Sequence, residues 1–186
     1  MACSSVSDEV RPDRALTPED LQAHITAKGI AARLVRDLGD TRTVPLAAVA
    51  LDVEEQRIIK SLLFLVRLPG QPDRQPLLVI IGGQSRVDYR AIAARFGVSR
   101  KKVRFASGEE VLAILGYPAG GVPPFGHRSS VPAVLDSALL AAHQDSKAAM
   151  YGGGGDESTM LEIALDELLR VVKPEILSVS SAEDSS

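Results

Sequence analysis

Ile58-Ile59-Lys60-Ser61-Leu62-Leu63-Phe64-Leu65-Val66 is a nearly unbroken apolar run, and its reading decides the fold. Nine residues are too few for a core helix of ordinary length, and an apolar run without alternation is the signature of a strand buried on both faces. Leu77 to Ile81 repeats the pattern and is closed by Gly82-Gly83, while the polar insert Pro69 to Pro76 joins the two runs like a hairpin. Lys60 is the exception within the first run. An ammonium buried without partners is costly, so Lys60 either faces a cleft that holds an anion, emerges at the strand end, or pairs with a carboxylate such as Asp136.

Outward from this pair the chain interleaves helices and strands. Thr17-Pro18-Glu19-Asp20 supplies an N-cap, a first-turn proline and acids for a helix that Gly29 ends. Ile30 to Val35 reads as a strand and Leu46 to Leu51 as a short helix after Thr43 and Pro45. Beyond Gly83, Asp88 caps a helix through Phe96, Lys102 to Ala106 is a strand, and Ser107 to Glu110 is a capping box for a helix that Gly116 stops. Val131 to Leu135, Lys147 to Tyr151 and Met160 to Leu165 read as strands, with Asp136 opening a turn or helix and Asp166 capping a last helix up to Lys173. The crossovers are short and irregular, which predicts an α/β domain with a mixed sheet flanked by helices rather than a regular doubly wound one. Residues 1–14 and 178–186 read as flexible tails, leaving one domain over 15–177.

Composition excludes several classes. Hydrophobic residues at 45% and charged residues at 24% fit a soluble globular chain. No apolar run is long enough to span a membrane, and the N-terminus lacks a signal-peptide core, so a cytoplasmic location is expected. Cys3 is the single cysteine and offers no disulfide. Net charge is -3, yet Arg86, Arg90, Arg95, Arg100, Lys101, Lys102 and Arg104 are opposed locally by Asp88 alone. That surface either docks a phosphate backbone or is a solvated face with counter-charges elsewhere in the fold.

The second unusual stretch is Gly116 to Gly126, GYPAGGVPPFG, in which seven of eleven residues are glycine or proline. Such a stretch is a stiff loop, serving either as a rigid turn or as a presenter of backbone amides and carbonyls to a ligand. Other chemistry lacks support. GGGGD at 152–156 lacks the lysine and hydroxyl of a phosphate-binding P-loop, and His24, His127 and His143 show no metal-ligand spacing, so no metal and no cofactor is expected. No GxSxG elbow is present. A rigid loop and a strand lysine without a nucleophile suit only an activated bond, such as the ester of an amino acid on a terminal ribose.

These stretches resemble the YbaK and prolyl-tRNA synthetase insertion-domain (ProX-like) family of aminoacyl-tRNA deacylases. The likeness rests on IIKSLLFLV at 58–66, LLVIIGGQSRVD at 77–88, KKVRFASGEEVLAILGYPAGGVPPFGH at 101–127 and VLDSAL at 134–139, and it spans roughly Leu16 to Lys173. It implies a mixed, partly barrel-like sheet surrounded by helices. It also implies a catalytic set of Lys60 with the GxxxP loop Gly120, Gly121, Val122, Pro123 and Pro124, in which backbone groups position ester and water and the lysine holds the acceptor end. Ser61, Phe125, Gly126, His127, Asp136, Gly154 and Gly155 are the implied substrate-binding residues, and Arg100, Lys101 and Lys102 the tRNA-binding ones. Where some relatives carry a pocket histidine this chain has Gly155 and Asp156, which departs from the family pattern.

The resemblance therefore implies trans-editing. The implied partner is a mischarged tRNA, namely tRNA for proline bearing alanine, cysteine, serine or threonine, with the protein acting alone or recruited by prolyl-tRNA synthetase or another synthetase. The alternative is a non-catalytic tRNA- or synthetase-binding module that keeps the fold.

Overall fold

The two apolar runs form the centre of a five-stranded sheet. In the computed structural model, which describes residues 14–181, they are β2 (Ile59–Arg67) and β3 (Arg74–Gly82), antiparallel along their whole length with Lys60 opposite Ile81 and Ser61 opposite Ile80. β5 (Val103–Phe105) adds antiparallel to β2, whereas β6 (Ala133–Asp136) and then β9 (Glu175–Leu177) add in parallel beyond β3. The sheet is therefore mixed.

A second, antiparallel sheet has the order β1 (Ala32–Val35), β8 (Met160–Ala164), β7 (Ala149–Gly153). Ile58, just before β2, bridges to Tyr151 of β7 and joins the two sheets at one corner. Side chains alternate along β2 and so serve two cores. Ile59, Leu63 and Leu65 pack with Leu161 and Ile163 of the second sheet and with α1 (Pro18–Lys28), α4 (Gly108–Leu115) and α6 (Leu165–Val172). Phe64 and Val66 pack on the opposite face under α3 (Tyr89–Arg95). Each such side chain fully removed from water contributes about 1.5–3 kcal/mol, so the near-absence of polar residues in β2 is what a strand covered on both faces requires. α2 (Val44–Leu51) and α5 (Ser137–Ala142) complete six helices among the described residues.

Sequence signals translate directly into structure where the chemistry is local. Thr17 N–H donates to Asp20 at 2.8 Å, Gly29 ends α1 in a left-handed conformation, and Ser107 and Glu110 form the expected capping box. Several boundaries move. Lys147 is not in a strand, because its N–H is taken by Asp145 in a turn, and β7 starts at Ala149. Asp166 does not cap α6: the helix begins one residue earlier, and the Asp166 carboxylate accepts from Glu167 N–H. The expected tail from Ser178 is corrected more substantially. Val179 is buried, and β10 (Ser180–Ser181) pairs with β4 (Arg86–Val87), so residues 178–181 are part of the fold. The expected N-terminal tail lies outside the described residues save Arg14, as does the last part of the C-terminal one. No helix among the described residues is long and apolar enough to cross a membrane.

Candidate functional site

The corner where the sheets join opens into a narrow cleft of about 170 Å³. Lys60 and Ser61 from β2, Gly120 and Val122 from the glycine–proline loop, Arg42 from the segment before α2 and Met160 from β8 all line it. The cleft widens outward past Arg42, Lys60, Gln84, Ser85 and Arg86 into a shallower depression. Lys60 and the loop, over fifty residues apart in sequence, thus meet at one place.

Lys60 sits one residue into β2, half-buried, with its Nζ donating to the Ser85 carbonyl at 3.3 Å. Of the alternatives for this residue, pairing with Asp136 is not realised. Asp136 lies two strands away at the end of β6, 1% exposed, where Oδ1 accepts from Val179 N–H at 3.1 Å. It does not line the cleft, as a substrate-binding residue there would, and instead fastens the C-terminal segment.

The loop owes its shape to backbone packed on backbone. Gly120 has φ +96°, a conformation that favours glycine. A Cβ on Gly121 would stand 2.7 Å from the Asp156 carbonyl, and one on Gly153 would run into the Val122 carbonyl. The two glycine runs are tied by Gly155 N–H donating to Gly121 O at 2.8 Å, and Gly121 N–H closes a turn onto Pro118 O at 3.1 Å. Gly121 is therefore fully engaged in structure, whereas the amides of Gly120 and Val122 have no backbone partner among the described residues. Amides left unpaired beside a cleft are the groups that can stabilise a developing oxyanion.

The other residues expected at the substrate stand behind this lining. Phe125 is buried in the main core with its ring stacked on His24, and Gly126 accepts from Tyr117 Oη at 3.2 Å. His127 Nε2 lies 2.8 Å from the Pro123 carbonyl and braces the loop; burial holds its imidazole below the usual histidine range, against the opposing effect of that hydrogen bond. Gly154 N–H donates to Thr159 O, and Pro124 packs near Gly152. The Asp156 carboxylate accepts from Ser158 N–H, capping its own turn. Phe125, Gly126, His127, Gly154 and Gly155 shape the cleft wall from behind and are not part of its lining.

The basic surface divides. Arg95 pairs with Glu175 and Arg104 with Glu110, each at 2.6 Å, so two of its charges meet counter-charges in the fold. Arg100 lies 4.2 Å over the Tyr89 ring. Arg100, Lys101 and Lys102 are exposed in a turn leading into β5, whose Val103 pairs with Val66. Six residues of strand separate Val66 from Lys60, about 20 Å at 3.3 Å per residue. The turn is thus at the far end of β2 from the cleft.

Arg42, Thr43 and Met160 carry no sequence signal of a site, and Gly153 lies in the glycine run that lacks the P-loop pattern. Arg42 forms exposed ion pairs to Asp40 at 2.7 Å and Glu157 at 3.6 Å, and holds the Asp40 carboxyl at about 2. In sequence only the helix start at Thr43 and Pro45 marks this segment. Among the described residues no group of three His, Cys, Asp or Glu side chains stands where it could hold a metal ion.

Residues 39–171 match the family model of the aminoacyl-tRNA editing domain. The chain belongs to that family. It is 30% identical over 97 residues to a proline–tRNA ligase of Limosilactobacillus fermentum, covering 52% of this chain and 16% of the ligase. A second proline–tRNA ligase, from Halalkalibacterium halodurans, is 32% identical over 88 residues, covering 47% of this chain and 14% of the ligase. The chain thus corresponds to a small part of those ligases. Among solved structures, a candidate trans-editing enzyme for prolyl-tRNA synthetase superposes with TM-score 0.74 at 27% identity, covering 89% of this chain and 97% of that one. A hypothetical protein superposes with TM-score 0.74 at 32% identity, covering 87% and 99%. The mixed α/β editing-domain fold expected from the sequence is the one observed.

Proposed function

We propose that this editing domain is a trans-acting deacylase that hydrolyses the ester of a mischarged tRNA, with tRNA for proline carrying a small wrong amino acid as its substrate. One observation supports the reading: Lys60, Gly120 and Val122 line a single narrow cleft, and the amides of the last two have no backbone partner among the described residues. The Lys60 ammonium, with Arg42 beside it, suits the phosphate or sugar of the terminal nucleotide. The amides suit the oxyanion that forms as water attacks the ester carbonyl; the leaving group is the ribose hydroxyl, which takes up a proton as the free amino acid departs. Ser61 has no hydrogen-bond partner, so no base activates it as a nucleophile, and a direct attack by water is the simpler chemistry. A cleft of about 170 Å³ admits only a small side chain, as a second sieve requires.

The similarity to proline–tRNA ligases and to a candidate trans-editing enzyme supports the choice of tRNA and the recruitment of the protein by a synthetase. The test is release of amino acid from tRNA for proline charged with alanine, cysteine, serine or threonine. The wild type is expected to turn over at least one of these, and Lys60→Ala to lose about 100-fold in rate with unchanged Tm, on the scale of one misplaced reacting group. Equal rates for the two proteins would overturn the role of Lys60. Tight tRNA binding with no turnover of any of the four would favour a non-catalytic binding module.

A further inference from the structure

Three hydroxyl-bearing residues are among those that line the cleft, and they differ in what they already hold. Thr41 Oγ1 donates to the Glu157 carbonyl at 2.9 Å, and Thr43 Oγ1 accepts from Leu46 N–H at 3.4 Å. Ser61 Oγ is buried and has no hydrogen-bond partner. Among the described residues it shares that condition only with Asp136 Oδ2, which is outside the cleft. A buried hydroxyl left unpaired is destabilising, and a ligand group that satisfies it is favoured over one that does not.

The direction of Ser61 narrows the ligand group. Alternation along β2 sends Lys60 and Ser61 to opposite faces. Lys60, opposite Ile81, points to the side where Arg42, Ser85 and Arg86 form the outer depression. Ser61, opposite Ile80, shares its face with Ile59 and Leu63. The inner cleft is further lined by Val122, Met160 and Gly153. A group held by Lys60 at the mouth therefore cannot be the group that meets Ser61. The α-ammonium is also a poor match, since one neutral hydroxyl among aliphatic side chains does not compensate the desolvation of a full charge. A small neutral side chain that carries a hydroxyl fits both the aliphatic walls and the unpaired Oγ.

We infer that Ser61 is the specificity-determining residue of the cleft, and that it selects aminoacyl esters whose small side chain bears a hydroxyl, with the seryl ester preferred over the alanyl ester. This inference rests on the deacylase reading and adds the substrate class to it. Ser61 and the substrate hydroxyl each donate and accept, so the pair satisfies two groups that alanine would leave one short. Sites built around such a hydrogen bond discriminate against the analogue that lacks it more sharply than aliphatic pockets discriminate by size.

The test compares seryl- and alanyl-tRNA for proline. The wild type is expected to show a seryl-to-alanyl ratio of kcat/KM of about 10 or more, and Ser61→Ala to lower that ratio about 10-fold. A parallel measurement uses non-hydrolysable seryl and alanyl amides of 3′-amino-3′-deoxyadenosine, with the ratio of Kd values as the readout. Proportional loss on both esters in Ser61→Ala, or an unchanged ratio, overturns the inference while leaving the deacylase reading intact. Absence of turnover in the wild type sinks the deacylase reading, and the amide ratio then still decides whether Ser61 selects the hydroxyl.

Discussion

The two ends of β2 carry the two features that stand out in the sequence, and they are built in opposite ways. At the Lys60 end backbone presses on backbone, glycines are required by contact, and the amides of Gly120 and Val122 and the Ser61 hydroxyl have no backbone or side-chain partner among the described residues. At the Arg67 end the β2–β3 turn contains Gly70, with φ +73°, where an added Cβ would meet nothing within 4 Å. The charges nearby are exposed or ion-paired. A site capable of chemistry needs fixed groups with unused capacity, and only the first end has them. The second end carries exposed charge, of the kind that can steer a polyanion but does not position a reacting atom.

The largest expected contrast comes from one methyl group at each end. Gly153→Ala forces its Cβ into the Val122 carbonyl, where no flexible side chain can give way, and is expected to cost about 1–3 kcal/mol. That corresponds to a fall in Tm of about 3–10 °C together with loss of deacylation. Gly70→Ala meets no atom and bears only the left-handed backbone penalty, about 1–2 kcal/mol, with turnover retained. Thermal melts and single-turnover assays of the two variants check this, and equal loss of turnover would erase the distinction between the ends.

Charge reversal sharpens the comparison from the other side. Replacing Arg100, Lys101 and Lys102 by glutamate is expected to weaken tRNA binding about 10-fold or more and to flatten its salt dependence by roughly two to three units of slope. Hydrolysis of a short aminoacyl oligonucleotide that cannot span the ~20 Å along β2 should be far less affected. If binding is indifferent to the reversal, the far end takes no part in tRNA recognition.

The smallest effect expected is in the pH dependence of stability. Burial lowers the His127 pKa in the folded state, so the neutral ring is favoured there and the unfolded chain binds the proton more readily. The stabilisation is fully present above the ordinary histidine value and is lost as pH falls through the folded value. Melts between about pH 7 and pH 5 should show this decline, and His127→Gln should make it shallower.

Much of the fold is legible in the sequence because its signals are local or strong. The caps of α1 and α4 lie within four residues of sequence, and the two apolar runs leave little choice but a buried hairpin. β4, β9 and β10 are not legible: strands of two or three residues exist only because a distant partner presents an edge, as Arg86–Val87 does for Ser180–Ser181. The same division applies to the cleft. Lys60 and the loop are visible as departures from their surroundings, a cation in an apolar strand and a cluster of glycine and proline. Arg42 and Met160 are ordinary residues in ordinary contexts, and only tertiary approach makes them lining; Gly153 stands in a glycine run whose place at the cleft is not visible before folding. Asp136 is misplaced by sequence reasoning for a related cause, since a single carboxylate after a strand does not reveal that a later segment's amide will claim it.

The hydrogen bond from Gly155 to Gly121 has a consequence for the entropy of recognition. By tying the two glycine runs together it restricts, during folding, the segments that would otherwise have the greatest freedom to lose. A ligand entering the cleft then meets walls that are already ordered, and the ordering cost falls on the ligand rather than on the protein. A chain whose softest residues are fastened to each other in this way can be selective with few side chains, because its rigidity is a property of the main chain.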